Sequence, residues 1–223
     1  MAIQPSQLVL IRHGQSRSNA EEWISSQATC GGLTDLGKAE AATARDRLAS
    51  MPELAPDAVL VSTMRRAVET AAIVAEPTGF VAEQRAELIE REPGEIEGMT
   101  VVDYVAKFGA RPFTQWEPAL SPGGETGTAF RRRVADAIDR VTAEITAETG
   151  GRTTWVVCHG WVITATAHHL SGGEPTVMPP FAGPANAAFC VWTNEGGDTP
   201  WRLERYNDHA HTASLANGAT PFV

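Results

Sequence analysis

The chain has 223 residues, a length that suits one generous domain, or a domain with an insertion, better than two independent cores. Hydrophobic residues make up 43% and charged residues 20%, an ordinary globular composition. The 27 Asp and Glu outnumber the 18 Lys and Arg, and the formal charge of −9 argues against nucleic acid or an anionic membrane surface as a partner. Any anionic ligand must therefore meet a local cluster of cations. Cys30, Cys158 and Cys190 are too few and too odd in number for a disulfide framework, so a reducing, cytoplasmic setting is expected. Met1 to Pro5 show no basic segment followed by an apolar stretch, so no signal peptide is expected. No run reaches about 18 apolar residues, so no membrane span is expected either.

The apolar run from Gln7 to Ile11 predicts the first strand, and a polar, Gly-rich loop follows to Gly32. Asp35 to Met51 reads as a helix, with Thr34 as its cap and Pro52 and Pro56 closing the segment. Asp57 to Ser62 is a second strand, and Met64 to Ala75 a helix ended by Pro77. This β-α-β-α alternation argues for a mainly parallel sheet. The stretch from about Glu92 to Gly124 is rich in Pro and Gly and reads as an inserted cap with one short helix near Val101 to Phe108. A helix from about Glu125 to Thr149 follows, with Glu125 and Thr126 suited to its first turn. Trp155 to Cys158 is a strand, Gly160 to Leu170 a helix, and Ala187 to Thr193 and Trp201 to Tyr206 are two late strands.

Two of these strands end in the same dipeptide. His13-Gly14 closes the first, and His159-Gly160 closes the strand at Trp155 to Cys158. Ligands of open α/β sheets sit beyond the carboxyl ends of the strands, so two imidazoles could share one edge of one sheet. A neutral imidazole is a good nucleophile toward phosphorus, and Arg12 stands beside His13 to hold negative oxygens.

The residues around these junctions form blocks. Leu10-Ile11-Arg12-His13-Gly14-Gln15-Ser16, followed by Asn19, resembles the signature of the histidine phosphatase superfamily, whose best-known branch is the cofactor-dependent phosphoglycerate mutases. Ser62 to Ala71 is similar to the second block of that family, Leu88 to Gly94 with Glu97-Gly98 to its acid block, and Gly124-Glu125-Thr126 and Val157 to Gly160 to its last two. The resemblance runs in register from about Leu8 to Ala165. It implies a single domain over residues 1–223, with an α/β fold: a three-layer α/β/α sandwich with a mainly parallel mixed sheet and a small inserted cap region at about 92–124.

The resemblance also implies roles. His13 is the nucleophile, with a backbone carbonyl fixing its tautomer. Glu90 is the acid that protonates the leaving alkoxide and then deprotonates water. Arg12, Arg66 and Asn19 bind the phosphoryl group, and His159 donates to it as charge builds up. The arginine immediately before Ala67 is the phosphate ligand, which selects Arg66 over Arg65. Two arginines and two histidines supply the charge, so neither a metal nor a cofactor is expected. The expected partner is a small-molecule phosphate monoester.

Other residues invite plainer readings. Arg65 is expected to be solvated or ion-paired. Cys158 does not fit a cysteine phosphatase, because position 164, six residues on, is Thr where arginine is needed. His168 and His169 lie on a helix as packing or surface residues. His209 and His211, near Asp208, are disfavoured as a metal site. Trp23, Trp116 and Trp161 suit a pocket or the core alike.

Compared with the mutase pattern, Val101 replaces a lysine, Glu117-Pro118 an arginine pair and Pro93 a tyrosine, and Glu92 adds an acid. Each lost charge is worth on the order of several kcal/mol at an effective dielectric near 20, before screening. A doubly anionic phosphoglycerate is then poorly held, and hydrolysis is expected over isomerisation. The same field, through Glu92, is expected to help keep Glu90 protonated. A mutase, a phosphatase of a bisphosphorylated sugar, and a non-catalytic regulatory protein on the same fold are the alternatives.

Overall fold

The computed structural model describes residues 5–112, 117–147, 151–173, 183–197 and 199–215. The first apolar run forms β1 (Ser6–Arg12), with Leu8, Val9, Leu10 and Ile11 fully buried. It is one residue longer at each end than its apolar letters predict, because Ser6 still pairs with Asn194 and Arg12 with Cys158. A four-residue helix, α1 (Arg17–Ala20), stands in the stretch expected to be loop; Ser16 and Asn19 close it as a capping box. α2 (Asp35–Ala49) starts on the Thr34 cap, whose hydroxyl accepts from Gly37 N, and stops two residues short of the expected Met51. β2 (Ala58–Ser62) and α3 (Arg65–Val74) follow within a residue of expectation at each end.

β3 (Glu83–Arg85) is an edge strand that no apolar run announces, since its residues are Glu, Gln and Arg. In the cap, α4 (Val101–Phe108) begins on Thr100 and ends at Gly109 in the left-handed region, as its residues predict. α5 (Gly127–Thr146) begins after Thr126, whose side chain accepts from Ala129 N; Glu125 therefore stays outside the helix. The expected end at Thr149 lies outside the described residues. β4 (Thr153–Cys158), α6 (Gly160–Leu170), β5 (Phe189–Asn194) and β6 (Arg202–Asp208) complete the chain order, the last two strands beginning one or two residues later than predicted.

The strands form one sheet in the order β3-β2-β4-β1-β5-β6. β3, β2, β4 and β1 are parallel, whereas β5 is antiparallel to both of its neighbours. The period-2 alternation along the strands divides the core in two. Leu8, Leu10 and Val156 pack with Phe130, Ile138 and Trp161 of α5 and α6 on one face. Val9, Ile11 and Val157 pack with Leu48, Ala67 and Ala71 of α2 and α3 on the other. The result is the three-layer α/β/α sandwich with a mixed, mainly parallel sheet. The cap has its own small cluster, in which Ile96, Tyr104 and Leu120 meet Ile24 from the loop after β1.

One contact sets how closely α2 approaches the end of β1. A Cβ on Gly14 would lie 2.2 Å from Gly37 O, and a Cβ on Gly37 would lie 2.1 Å from Gln15 O. Two glycines thus let two backbones touch where any side chain would part them. Gly37→Ala is expected to cost about 1–3 kcal/mol through overpacking, read as a lower urea midpoint at unchanged slope. An unchanged midpoint would show that the approach is not tight.

Candidate active site

His13 sits one residue past β1, beyond the carboxyl ends of the parallel strands, and is buried. Its backbone N–H donates to Cys158 O at 3.0 Å, which carries the β1–β4 ladder one step further. Its Nδ1 lies 2.7 Å from Gly14 O. A carbonyl only accepts, so Nδ1 carries the proton and Nε2 keeps its lone pair. That lone pair accepts from Arg66 Nε at 3.0 Å. The nitrogen available for attack is therefore already aimed at the guanidinium that could hold an anion.

Arg66 lies in the first turn of α3, buried, and its Nη1 donates to Ser25 Oγ at 3.0 Å. Arg12, the last residue of β1, donates to Pro184 O at 2.6 Å. Burial pushes its guanidinium down to about 10, so it is still a cation at neutral pH. His159 caps α6 and is fully buried, its ring centroid 5.1 Å from that of His13. Its Nε2 shares a hydrogen with Ser62 Oγ at 2.7 Å, while Nδ1 is buried with no hydrogen-bond partner among the described residues. Burial, with Arg66 and Arg12 adding to it, holds both imidazoles well below the usual histidine range, so both are neutral.

Glu90 follows a short 3-10 turn, Ala86–Leu88. Its carboxylate accepts from Arg91 N at 3.0 Å and from Trp161 N, in the first turn of α6, at 3.1 Å. Burial raises its pKa above the ordinary glutamate value, and these N–H groups and Arg66 offset part of that rise. Two arginines that the sequence reading left without a role fasten this segment. Arg133 of α5 donates to Glu87 O at 2.8 Å and Ile89 O at 3.0 Å, and Arg91 donates to Glu125 O at 3.1 Å and to Pro118 O.

Arg12, His13, Asn19, Arg66 and Glu90 line one cleft. The ring of His159 stands edge-on to that of His13, beside this cleft. Asn19 uses Oδ1 in the capping box of α1, where it accepts from Ser16 N at 3.2 Å. Ser25 and Glu22 also line the cleft, and Asn186 donates to His13 O at 3.1 Å; these polar residues went unnoticed because loops carry no periodic signal. Val101, Pro112, Trp23 and Trp161 form apolar parts of the wall, whereas Trp116 lies outside the described residues.

Two expectations about the cap need correction. Glu92 does not act on Glu90; its strongest carboxylate neighbour is Glu125, and burial is what raises Glu90. Glu117 is outside the cleft, paired at 2.7 Å with Arg131 and accepting from Thr128 at 2.6 Å. Its charge is answered there and contributes little to a repelling field.

The remaining candidates fall into place as packing or pairing groups. Arg65 pairs with Glu69 at 2.7 Å on α3. Cys158 is fully buried, and burial raises its thiol. His168 is buried, and His169 meets Asp139 at 2.7 Å. His209 and His211 turn to separate carbonyls, Asn207 O and Ala187 O. No group of three or more His, Cys, Asp or Glu among the described residues could hold a metal ion.

Comparison with known proteins gives the family. The family described as the histidine phosphatase superfamily (branch 1) matches residues 8–209. A glucosyl-3-phosphoglycerate phosphatase of Mycolicibacterium vanbaalenii is 27% identical, covering 93% of this chain and 96% of its own length. A 2,3-bisphosphoglycerate-dependent phosphoglycerate mutase of Mycobacterium leprae is 28% identical over 73% of this chain and 76% of its own. The solved mycobacterial glucosyl-3-phosphoglycerate phosphatase in complex with VO3 superposes with a TM-score of 0.76 at 27% identity, covering 91% of this chain and 98% of that one. The chain belongs to the histidine phosphatase superfamily, branch 1.

Proposed function

We propose that this protein hydrolyses a small-molecule phosphate monoester through a phosphohistidine on His13. The observation that carries the proposal is the tautomer of His13. Its Nδ1 proton is committed to Gly14 O, and its Nε2 lone pair faces Arg66 inside the cleft that Glu90 also lines.

In the first step Nε2 attacks phosphorus and the ester P–O bond breaks. Neutral Glu90 passes its proton to the leaving alkoxide. Arg12 and Arg66 hold the phosphoryl oxygens, with Asn19 beside them; with Ser62 Oγ–H donating to Nε2 of His159, the proton of that ring sits on Nδ1 and makes it a further donor. Such preorganised donors contribute a few kcal/mol each, on the order of 3. In the second step a water oxygen attacks phosphorus, Glu90 takes its proton, the P–N bond breaks, and the electron pair returns to Nε2. Inorganic phosphate leaves, and the Nδ1 proton stays in place throughout. The two guanidinium groups supply the positive charge that a metal supplies elsewhere, so the reaction is metal-free.

Among the described cleft residues the cations are Arg12 and Arg66, and Val101, Trp23 and Trp161 supply apolar lining. The substrate class that fits is a bulky monophosphate, such as a sugar-bearing ester. The name of the M. vanbaalenii relative points the same way, because glucosyl-3-phosphoglycerate carries a glucosyl group. The chain works as one domain, and the free thiols of Cys30, Cys158 and Cys190 support a reducing, cytoplasmic setting.

Rapid quench with a labelled sugar phosphate is expected to trap an acid-labile, base-stable phosphoenzyme that His13→Ala lacks. Label retained in His13→Ala would remove the nucleophile, and isomerisation of phosphoglycerate outrunning phosphate release would establish a mutase.

Arg66→Ala is expected to lower kcat/KM by at least about 2 kcal/mol in transition-state terms, the cost of a lost charged hydrogen bond. Arg65→Ala, which removes only an exposed helix pair, should change it little. The reverse order would shift the phosphate-binding arginine by one residue.

The pH dependence follows from the two shifts. Because the His13 pKa is lowered, the ring stays neutral, and phosphorylation should not fall as the pH drops through 6.5. Because the Glu90 pKa is raised, the acid form persists above the ordinary 4.5, and the rate should fall as the pH rises through that higher value. Single-turnover rates, corrected for ionisation of the substrate phosphate, would test both limbs. Glu90→Gln should lose roughly 10²-fold or more and flatten the alkaline limb, as for loss of a general acid. An unaltered alkaline limb in Glu90→Gln would assign the acid elsewhere.

A further inference from the structure

Glu40 lies on α2 with no exposed surface, though nothing in the cycle above uses it. Its Oε2 accepts from Gln15 N at 2.6 Å. The carbonyl of the same peptide group, Gly14 O, accepts from His13 Nδ1 at 2.7 Å. One amide therefore has a carboxylate at its N–H and the imidazole at its oxygen. We propose that Glu40 is a positioning residue that acts on His13 through the Gly14–Gln15 peptide, polarising the carbonyl that holds the Nδ1 proton. The inference rests on His13 being the nucleophile.

Amide resonance makes the link physical. An anion at the N–H draws the peptide toward its charge-separated form and puts more negative charge on the carbonyl oxygen. As Nε2 bonds to phosphorus, the ring turns cationic and its Nδ1–H becomes a stronger donor. A more negative Gly14 O stabilises that cation and retains the proton that the second step needs.

The surroundings hold this amide rigid. Gly14 N donates to Thr70 Oγ1 at 3.1 Å, and Gln15 O accepts from Thr34 N at 3.0 Å. The backbone of Gly37 presses against it too closely for a Cβ on either side. Glu40 Oε1, by contrast, is buried without a hydrogen bond among the described residues. A structural acceptor for one N–H needs no charge, because a glutamine amide of the same length offers the same oxygen without a desolvated anion. Burial raises the pKa of Glu40, partly offset by the Gln15 N–H and the Arg12 cation. The ionised form is thus disfavoured by folding, and stability declines as pH rises above the unfolded pKa. A charge that costs stability at the back of the nucleophile indicates a use in the reaction.

The test is Glu40→Gln, which keeps shape and acceptor and removes the charge. Its Tm at neutral pH should be equal or higher. Phosphoenzyme formation and kcat should fall about tenfold or more with KM held within roughly twofold, the split for an interaction felt mainly in the transition state. Unchanged kcat in folded Glu40→Gln, or a raised KM with kcat kept, overturns the proposal. With His13→Ala still inactive, that outcome leaves the nucleophile standing; an active His13→Ala removes both. Should Glu40→Gln fail to fold, the wild-type protein decides by NMR. The Gln15 amide proton should move downfield when vanadate binds, and an unmoved resonance refutes the relay.

Discussion

The parallel pairing of β1 with β4 is the constraint on which the catalytic edge depends. It sets Arg12 opposite Cys158, so His13 and His159 leave their strands at the same level. The bond from His13 N to Cys158 O then ties one junction to the strand that carries the other. A slip of one residue would send the apolar side chains of β1 to the wrong faces. Leu8 and Leu10 belong to one core and Val9 and Ile11 to the other, so the two hydrophobic layers lock the register that the chemistry needs. β2 pairs on the other side of β4, and this brings Ser62 to the ring of His159.

Burial at that edge makes the groups reactive and also strains the fold. Loss of water is the largest influence on His13, His159, Glu90, Glu40 and Arg12 alike. It keeps the imidazoles neutral and raises the pKa of Glu90, the directions that nucleophilic attack and proton donation require. Buried charges survive only in company, since removing one partner leaves another uncompensated. Arg12 and Arg66 depress the histidines and at the same time offset the desolvation of Glu90. A charge deletion here therefore acts on the state of its neighbours as well as on any ligand.

The strands and most helices were legible because their letters are periodic and their caps explicit. Thr34 marks the start of α2 by chemistry alone. β3 was not legible, since an exposed edge of Glu, Gln and Arg pairs through its backbone and leaves no apolar trace. At the site, the blocks resembling the family located the cleft residues. Glu40 escaped notice because a glutamate on a helix normally faces water. Its burial is a tertiary fact, produced where Gly14 meets Gly37. Glycine within the first turn of a helix, costing about 1 kcal/mol against alanine, was the available signal that something packs there. The effect assigned to Glu92 failed for the converse reason. Proximity in sequence to Glu90 did not mean proximity in charge, because the charges that act on Glu92 are those of Glu125, Arg133 and Glu97.

The distribution of charge along the cleft bears on why water should be the acceptor. A mutase must keep a doubly phosphorylated intermediate bound while it reorients, so it needs cations at both ends of its pocket. Here the described cations that line the cleft are Arg12 and Arg66, and Val101 and Pro112 are among its apolar lining residues. Glu22 also lines the cleft and has Arg111 at 3.8 Å, so that pair offers a second anion little net charge. Among the described residues that line the cleft, no further cation is present to hold a second phosphate. In the proposed cycle, departure of the alcohol opens the space beside Glu90 to water while phosphohistidine persists, and the carboxylate that has given up a proton can take one.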